Sequence, residues 1–413
     1  MNIKEFRKNY DLTTVLIIGL YTVFLYCQVT QGQFTQKVGS DSMEFSYGVS
    51  PLSSMSMYTA SIIAIAIGLV RGFKTNIRYA NYYTVLVLLS FVMFLWFVVD
   101  SSLNGLTAVL RSSSCNPTIY FLFWSMYISM NDKSWNTAVK LARILGPILL
   151  VWSLVQSFSF QSLFGGYIGN SPQIVLLGNG ICTMFVAMLG HKEKDSFWLV
   201  CLFICSIFCG IATAVIYGNR SWNIQCVLLV LIYVYKQSNR ERFRISTIII
   251  TALIVYIIFR VISSNLTDSL DFLISRGFSD SRSWQYVEIY NQFSFFDLFF
   301  GKGTFGTYKS ALYGDYGFID NTTVMVWFHF GFIAVCCLLY LLLKAPIYLM
   351  LSSKSTKAMK ITSYICILWF FALNGLSVYN TIIFDLRNVM MAFALGRCVK
   401  LCYDLKKAKV VYK

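Results

Sequence analysis

The residues of this chain whose types and spacing could do chemistry gather in one polar stretch, residues 263–323. It holds Arg276, Asp280, Arg282, Glu288, Asp320 and the run Gly301-Lys302-Gly303-Thr304-Phe305-Gly306. Guanidinium groups suit a phosphate or carboxylate, because their planar fork donates hydrogen bonds in pairs. Arg276 and Arg282 flank Gly277-Phe278-Ser279 and read either as anion ligands or as solvated loop cations paired with Asp271 and Asp280, each pair worth about 0–1 kcal/mol. Asp280 is a candidate N-cap for a helix starting near Arg282, where free amides and a guanidinium would both meet an anion. Arg220, in the turn Gly218-Asn219-Arg220-Ser221, is either a snorkelling marker of a membrane edge or a second anion ligand. Asp320-Asn321 offers a general base with a burial-raised pKa, a helix N-cap, or both. Glu288 is the second candidate base. The pattern Gly301-x-Gly303-x-x-Gly306 imitates a dinucleotide fingerprint without the strand that should precede it, and a tight re-entrant loop explains it better. His329, several residues into an apolar run, reads as a packed, hydrogen-bonding histidine.

The rest of the chain must position these groups, and it is overwhelmingly apolar. Of 413 residues 57% are hydrophobic, 17% aromatic and 13% charged, with a mean hydropathy of +0.63. That excludes an ordinary water-soluble domain. Runs long enough to cross a hydrocarbon core of about 30 Å as helices fall near residues 12–29, 55–70, 79–99, 115–130, 144–164, 173–190, 196–217, 222–235, 245–262, 322–343, 361–379 and 387–401. The expectation is an all-α polytopic membrane protein of about twelve spans, a single transmembrane domain over residues 1–413 with one large outer loop at 263–323. Continuous apolar runs favour helices over barrel strands, which would alternate. The first run follows a basic stub without a small-residue cleavage site and reads as a retained helix. Within the loop, residues 281–292 carry helical apolar spacing, as do 267–275, and residues 293–300 are aromatic enough to lie at a lipid interface.

Orientation follows the basic residues. Placing both termini in the cytoplasm gathers 25 of the 34 lysines and arginines on the inner side and leaves nine of them against eleven acids outside, as the positive-inside rule expects. The net charge of +16 is then a topology signal, and no nucleic-acid partner is needed. Cys201, Cys205 and Cys209 repeat along one helix face without a histidine or carboxylate, so packing is the expected role and no metal or cofactor site is foreseen. Asp385 and Arg387 read as a local structural pair. A transporter would place charges inside its spans and often carry internal repeats. Here nearly all charges stand at span ends, with Arg260 the main exception, and the halves show no repeat.

In order and location these motifs resemble the O-antigen polymerase and O-antigen ligase superfamily of membrane glycosyltransferases. Arg220 in its turn, Arg282-Ser283-Trp284 at a helix start, Gly301-Lys302-Gly303 after an apolar stretch, and Asp320-Asn321 with Gly331 beyond match the family's pattern over about residues 196–343. Asp320 stands where ligases have histidine, which leans the resemblance toward Wzy-type polymerases. The resemblance implies a bacterial cytoplasmic membrane enzyme that polymerises undecaprenyl-pyrophosphate-linked repeat units into O-antigen or capsular polysaccharide. It implies lipid-linked donor and acceptor, the bilayer and a possible chain-length regulator as partners. Arg220 and Arg282 would stabilise the departing pyrophosphate and Asp320 would be the base. Arg276, Glu288, Trp284, Gly301, Gly303 and Asn321 would contact substrate, and Trp284, Tyr286, Tyr290 and Tyr308 could stack on sugar rings. The alternatives are an O-antigen ligase and a lipid-linked oligosaccharide flippase.

Overall fold

Asp11 shows how this chain converts sequence into architecture. In the computed structural model its carboxylate accepts hydrogen bonds from Thr14 N (3.3 Å) and Thr14 Oγ1 (2.7 Å), capping helix α1 (Leu12–Thr30). The same oxygen accepts from Ser134 Oγ at 2.9 Å, and Asp11 N donates to Thr137 Oγ1 at 2.8 Å, tying α1 to α6 (Asp132–Phe164). The structure describes residues 9–31, 33–36, 43–46, 50–75, 79–112, 115–164, 172–189, 195–216, 220–237, 282–311, 314–319, 321–376 and 384–411.

Between α1 and α6 lie α2 (Pro51–Thr75), α3 (Ala80–Asn104), α4 (Leu106–Arg111), a 3-10 helix (Pro117–Ser125) and α5 (Met126–Ser129). After α6 come α7 (Pro172–Met188), α8 (Phe197–Ile216), α9 (Arg220–Gln237), α10 (Arg282–Asn291) and α11 (Phe295–Phe300). The chain continues through α12 (Thr322–Leu351), α13 (Lys357–Phe371) and α14 (Leu386–Val411). Two antiparallel ribbons complete the described elements: β1 (Gln33–Gln36) with β2 (Met43–Ser46), and β3 (Tyr308–Ser310) with β4 (Gly314–Tyr316).

Six of these helices, α1, α2, α3, α6, α8 and α12, are long and apolar enough to cross a bilayer. This is the architecture of a polytopic membrane protein. α3 makes the point most sharply, with only 22% of its apolar window buried and Phe91, Phe94 and Leu95 about half exposed. Such a face is stable against lipid and would be an aggregation surface in water. Of the other expected spans, 245–262 lies outside the described residues, α7 is a shorter apolar helix, and α13 ends in a π-helical turn, Ala372–Leu376.

The expected span at 115–130 is corrected. It is a 3-10 helix followed by one turn of α-helix, and all but two of its sixteen residues are buried. Asn116 Oδ1 caps its start by accepting from Thr118 N at 2.9 Å and Thr118 Oγ1 at 2.7 Å. Glycines let neighbours close on its backbone: a Cβ on Gly68 of α2 would lie 2.2 Å from Trp124 O, and one on Gly396 of α14 would lie 2.0 Å from Met126 O. The tighter winding, about 2.0 Å rise per residue, lets few residues span more depth between those helices.

The chain divides into two compact units of interleaved segments, one of residues 1–60, 132–278 and 385–390, the other of 61–131, 279–384 and 391–413. The first is built on α7, whose Gly180 and Gly146 of α6 admit Leu150 and Met184 at distances that any Cβ would violate. In it Asp195, which sequence reasoning passed over, is buried and faces Arg143 at 3.1 Å, Lys236 at 3.4 Å and Gln237 Nε2 at 3.1 Å. Burial outweighs the attraction of the Asp195 carboxylate and leaves the Lys236 ammonium below its usual value. Asp385 and Arg387 form the expected pair at 3.1 Å. Of the Cys201–Cys205–Cys209 face, Cys201 and Cys209 are partly buried and Cys205 is exposed. Among the described residues no group of three histidines, cysteines or carboxylates is placed to hold a metal ion.

Candidate functional site

The described part of the polar stretch, from residue 282 on, belongs to the second unit, and α10 shows why it folds. Its Ile289, 2% exposed, enters a cluster with Tyr308, Ile319, Met325 and Phe328. A polar stripe at helical spacing then grips the β3–β4 ribbon. Gln285 Nε2 donates to Tyr308 Oη at 2.7 Å and to Phe318 O at 2.9 Å. Glu288 Oε1 accepts from Ala311 N at 3.0 Å. Gln292 accepts from Lys309 N at 2.7 Å and donates to Lys309 O at 2.8 Å. Arg282 is the first residue of α10, three positions before Gln285. The side chains of Arg282 and Trp284 lie outside what the structure describes, as do residues Arg276, Asp280 and Asp320. Arg220 opens α9 in the first unit, its side chain likewise undescribed.

α11 carries a capping box, Ser294 Oγ accepting from Asp297 N at 3.1 Å and Asp297 Oδ2 from Ser294 N at 3.0 Å. Its rings are open to the surroundings, Phe295 at 75% and Phe296 at 70% exposure, as expected of an interfacial helix. Two indoles satisfy carbonyls near its end: Trp327 Nε1 donates to Leu298 O at 2.8 Å and Trp96 Nε1 to Phe300 O at 3.1 Å.

The glycine run docks where α12 breaks. Gly331, at φ 81° and ψ 179°, interrupts that helix, and Lys302 N and Gly303 N donate to Phe328 O and His329 O, each at 2.9 Å. The approach is main chain to main chain. A Cβ on Gly331 would lie 2.2 Å from Phe299 O, and one on Gly301 would lie 2.5 Å from His329 O. Gly301 and Gly303 both have positive φ, 83° and 76°, the conformation that lets the loop turn tightly onto α12. Lys302 sits 3.9 Å from Asp297 and over the Phe328 ring at 5.4 Å.

Two buried polar residues secure this docking, of which Asp100 was not a sequence candidate. Asp100 of α3, 4% exposed, accepts from Thr304 N at 2.9 Å and Thr304 Oγ1 at 2.5 Å. His329, fully buried, sets Nδ1 2.7 Å from Gly303 O and Nε2 3.0 Å from Gly317 O, with Cys115 Sγ 3.2 Å from Nε2. Whichever ring nitrogen carries its proton, His329 ties one of these two carbonyls to α12, the hydrogen-bonding role expected of it. The signal for Asp100 was a lone carboxylate directly after the apolar run 79–99.

Asn321 is the N-cap of α12, its Oδ1 accepting from Val324 N at 3.1 Å. Asn374 of the π turn adds a clasp, its Oδ1 accepting from Thr323 N at 3.0 Å while its carbonyl accepts from Asn321 Nδ2 at 3.5 Å. Glu288 is occupied in holding the ribbon. Tyr308 is corrected: at 2% exposure it is core and has no face for a sugar, whereas Tyr290 is 72% exposed. The structure thus brings Glu288, Gly301, Gly303, Asn321 and the helix that starts at Arg282 into one folded segment. No protein-family model and no curated protein matches this chain.

Proposed function

We propose that the chain is a metal-independent membrane glycosyltransferase that polymerises lipid-pyrophosphate-linked glycan repeats at the face of the cytoplasmic membrane opposite the basic loops. The observation that carries the reading is the way the polar segment is held. α10, which opens on Arg282-Ser283-Trp284, is fixed by its Gln285–Glu288–Gln292 stripe and by Ile289 to a segment clamped on the broken helix α12. A cation at the start of such a helix costs little reorganisation when negative charge develops beside it. The resemblance to O-antigen polymerases supplies the substrate class.

In the proposed reaction an acceptor sugar hydroxyl forms a bond to the anomeric carbon of the donor. The bond from that carbon to the pyrophosphate oxygen breaks, and the lipid pyrophosphate leaves. Arg282 stabilises its charge, and Arg220 is the second cation assigned to this role. Asp320 takes the hydroxyl proton. Glu288 serves the fold, and Asn321 positions α12 directly after Asp320.

The test is a glycan gel of cells deleted for this gene and complemented with wild type, Arg282→Ala or Arg220→Ala, with membrane levels checked by immunoblot. Collapse of the ladder to single attached repeats, restored by wild type alone, supports the polymerase. Normal ladders from both variants remove the pyrophosphate role. Long glycans left on the lipid carrier would mark a ligase, and loss of every exported repeat a flippase.

A further inference from the structure

Away from the polar segment, the opposite end of the second unit holds a cavity of about 620 Å³. Lys344, Ser352, Ser353 and Lys406 supply its polar wall, and Leu343, Ile347 and Leu351 its apolar wall. We infer that this cavity binds the headgroup phosphate of an anionic phospholipid, whose acyl chain lies along Leu343, Ile347 and Leu351.

Charge is the first argument. Lys344 and Lys406 have no carboxylate partner among the described residues; they rest on tyrosine rings instead. Lys344 Nζ stands 4.0 Å from the Tyr340 ring centre and bonds its hydroxyl, while Lys406 Nζ stands 4.6 Å from Tyr348 and 5.6 Å from Tyr403. The nearby carboxylate on α14, Asp404, faces Lys400 at 3.8 Å. Cations held on aromatic faces without an acid keep their hydrogen-bonding capacity for an anion.

The second argument is an unused donor. The hydroxyl of Tyr82, which lines the cavity, is buried and has no hydrogen-bond partner of normal geometry among the described residues. A phosphate oxygen entering the cavity would be an acceptor for this hydroxyl. The third argument is location. The cavity lies at the C-terminal ends of α12 and α14, where Lys354, Lys357, Lys360 and Lys407 also collect. Basic residues gather at the cytoplasmic ends of spans, facing the leaflet that carries anionic lipid. Leu351, 74% exposed, extends the apolar wall outward, which a free phosphate ion would not need.

The test uses the purified full chain in detergent, titrated separately with dioleoyl phosphatidylglycerol, dioleoyl phosphatidylcholine and inorganic phosphate, with bound lipid counted by native mass spectrometry. Wild type should retain one phosphatidylglycerol at a concentration about thirtyfold below that needed for phosphatidylcholine, the factor expected from two lysines. The variant Lys344→Gln/Lys406→Gln should lose that preference, while Lys354→Gln/Lys360→Gln, equal in net charge, keeps it. Ser353→Glu, which sets a negative charge on the rim, should also lose it and replaces the double variant if that does not fold. Equal retention of the two lipids, or equal loss in the control variant, would overturn the inference, as would displacement of the lipid by millimolar inorganic phosphate.

Discussion

Removing the Asp100 carboxylate should release the glycine loop from the helices that hold it. Asp100 is buried, and both of its described hydrogen bonds come from Thr304, at 2.9 and 2.5 Å. Bonds to a charged acceptor contribute about 1.5–3 kcal/mol each, and donors left buried without a partner cost about 1–3 kcal/mol more. In Asp100→Ala the loop can move to hydrate its freed donors, so the net effect on local opening is about 3 kcal/mol, a factor of about 150. Asp100→Asn keeps one acceptor oxygen and should show about half that energy. The assay is amide hydrogen exchange by mass spectrometry on the protein in detergent micelles, following peptides over residues 301–307, with peptides from α7 as internal reference. Exchange over 301–307 should accelerate about a hundredfold in Asp100→Ala while α7 is unchanged. Acceleration of less than about threefold would refute the reasoning, because the two bonds would then contribute nothing to holding the loop.

Gly331→Ala should fail to fold or unfold at much lower temperature in detergent, since its Cβ would lie 2.2 Å from Phe299 O at a φ of 81° that L-residues avoid. Asn321→Ala should cost about 0.5–2 kcal/mol of thermal stability through loss of the α12 cap, and Asn321→Asp should restore most of it. Asp320→Asn should shorten the glycan ladder to a trace with normal membrane levels. Glu288→Gln, whose amide oxygen can still accept from Ala311 N, should leave ladder length near wild type.

What the sequence made legible followed the physics of local pattern. A span must be about twenty apolar residues, so α1, α3, α8 and α12 begin within about one residue of where hydropathy places them. Helical apolar spacing in 281–292 announced α10, and the glycine run announced a tight turn. The segment 115–130 was misread because periodicity alone does not separate a buried 3-10 helix from a spanning α-helix. Asp100 was illegible for a different reason. Its partner Thr304 lies 204 positions away, and no local pattern reports such a pairing. Asp195 pairs across 52 and 41 positions with Arg143 and Lys236 in the same way. Glu288 looked like a base because a carboxylate in a polar loop advertises chemistry, and only the placement of Ala311 N reveals its structural duty.

The docking of the glycine loop on α12 has an evolutionary consequence. Its contacts at the helix break run from Lys302 N and Gly303 N to the carbonyls of Phe328 and His329, so they require backbone and not particular side chains. A side chain at Gly301, Gly303 or Gly331 would break this joint, because a Cβ there would lie within 2.2–2.7 Å of the facing group. Side chains around the joint other than those of Asp100 and His329 could change, retuning the segment for other ligands, while the segment stayed in register on its helix. Three glycines with this spacing would then outlast most of the side chains beside them.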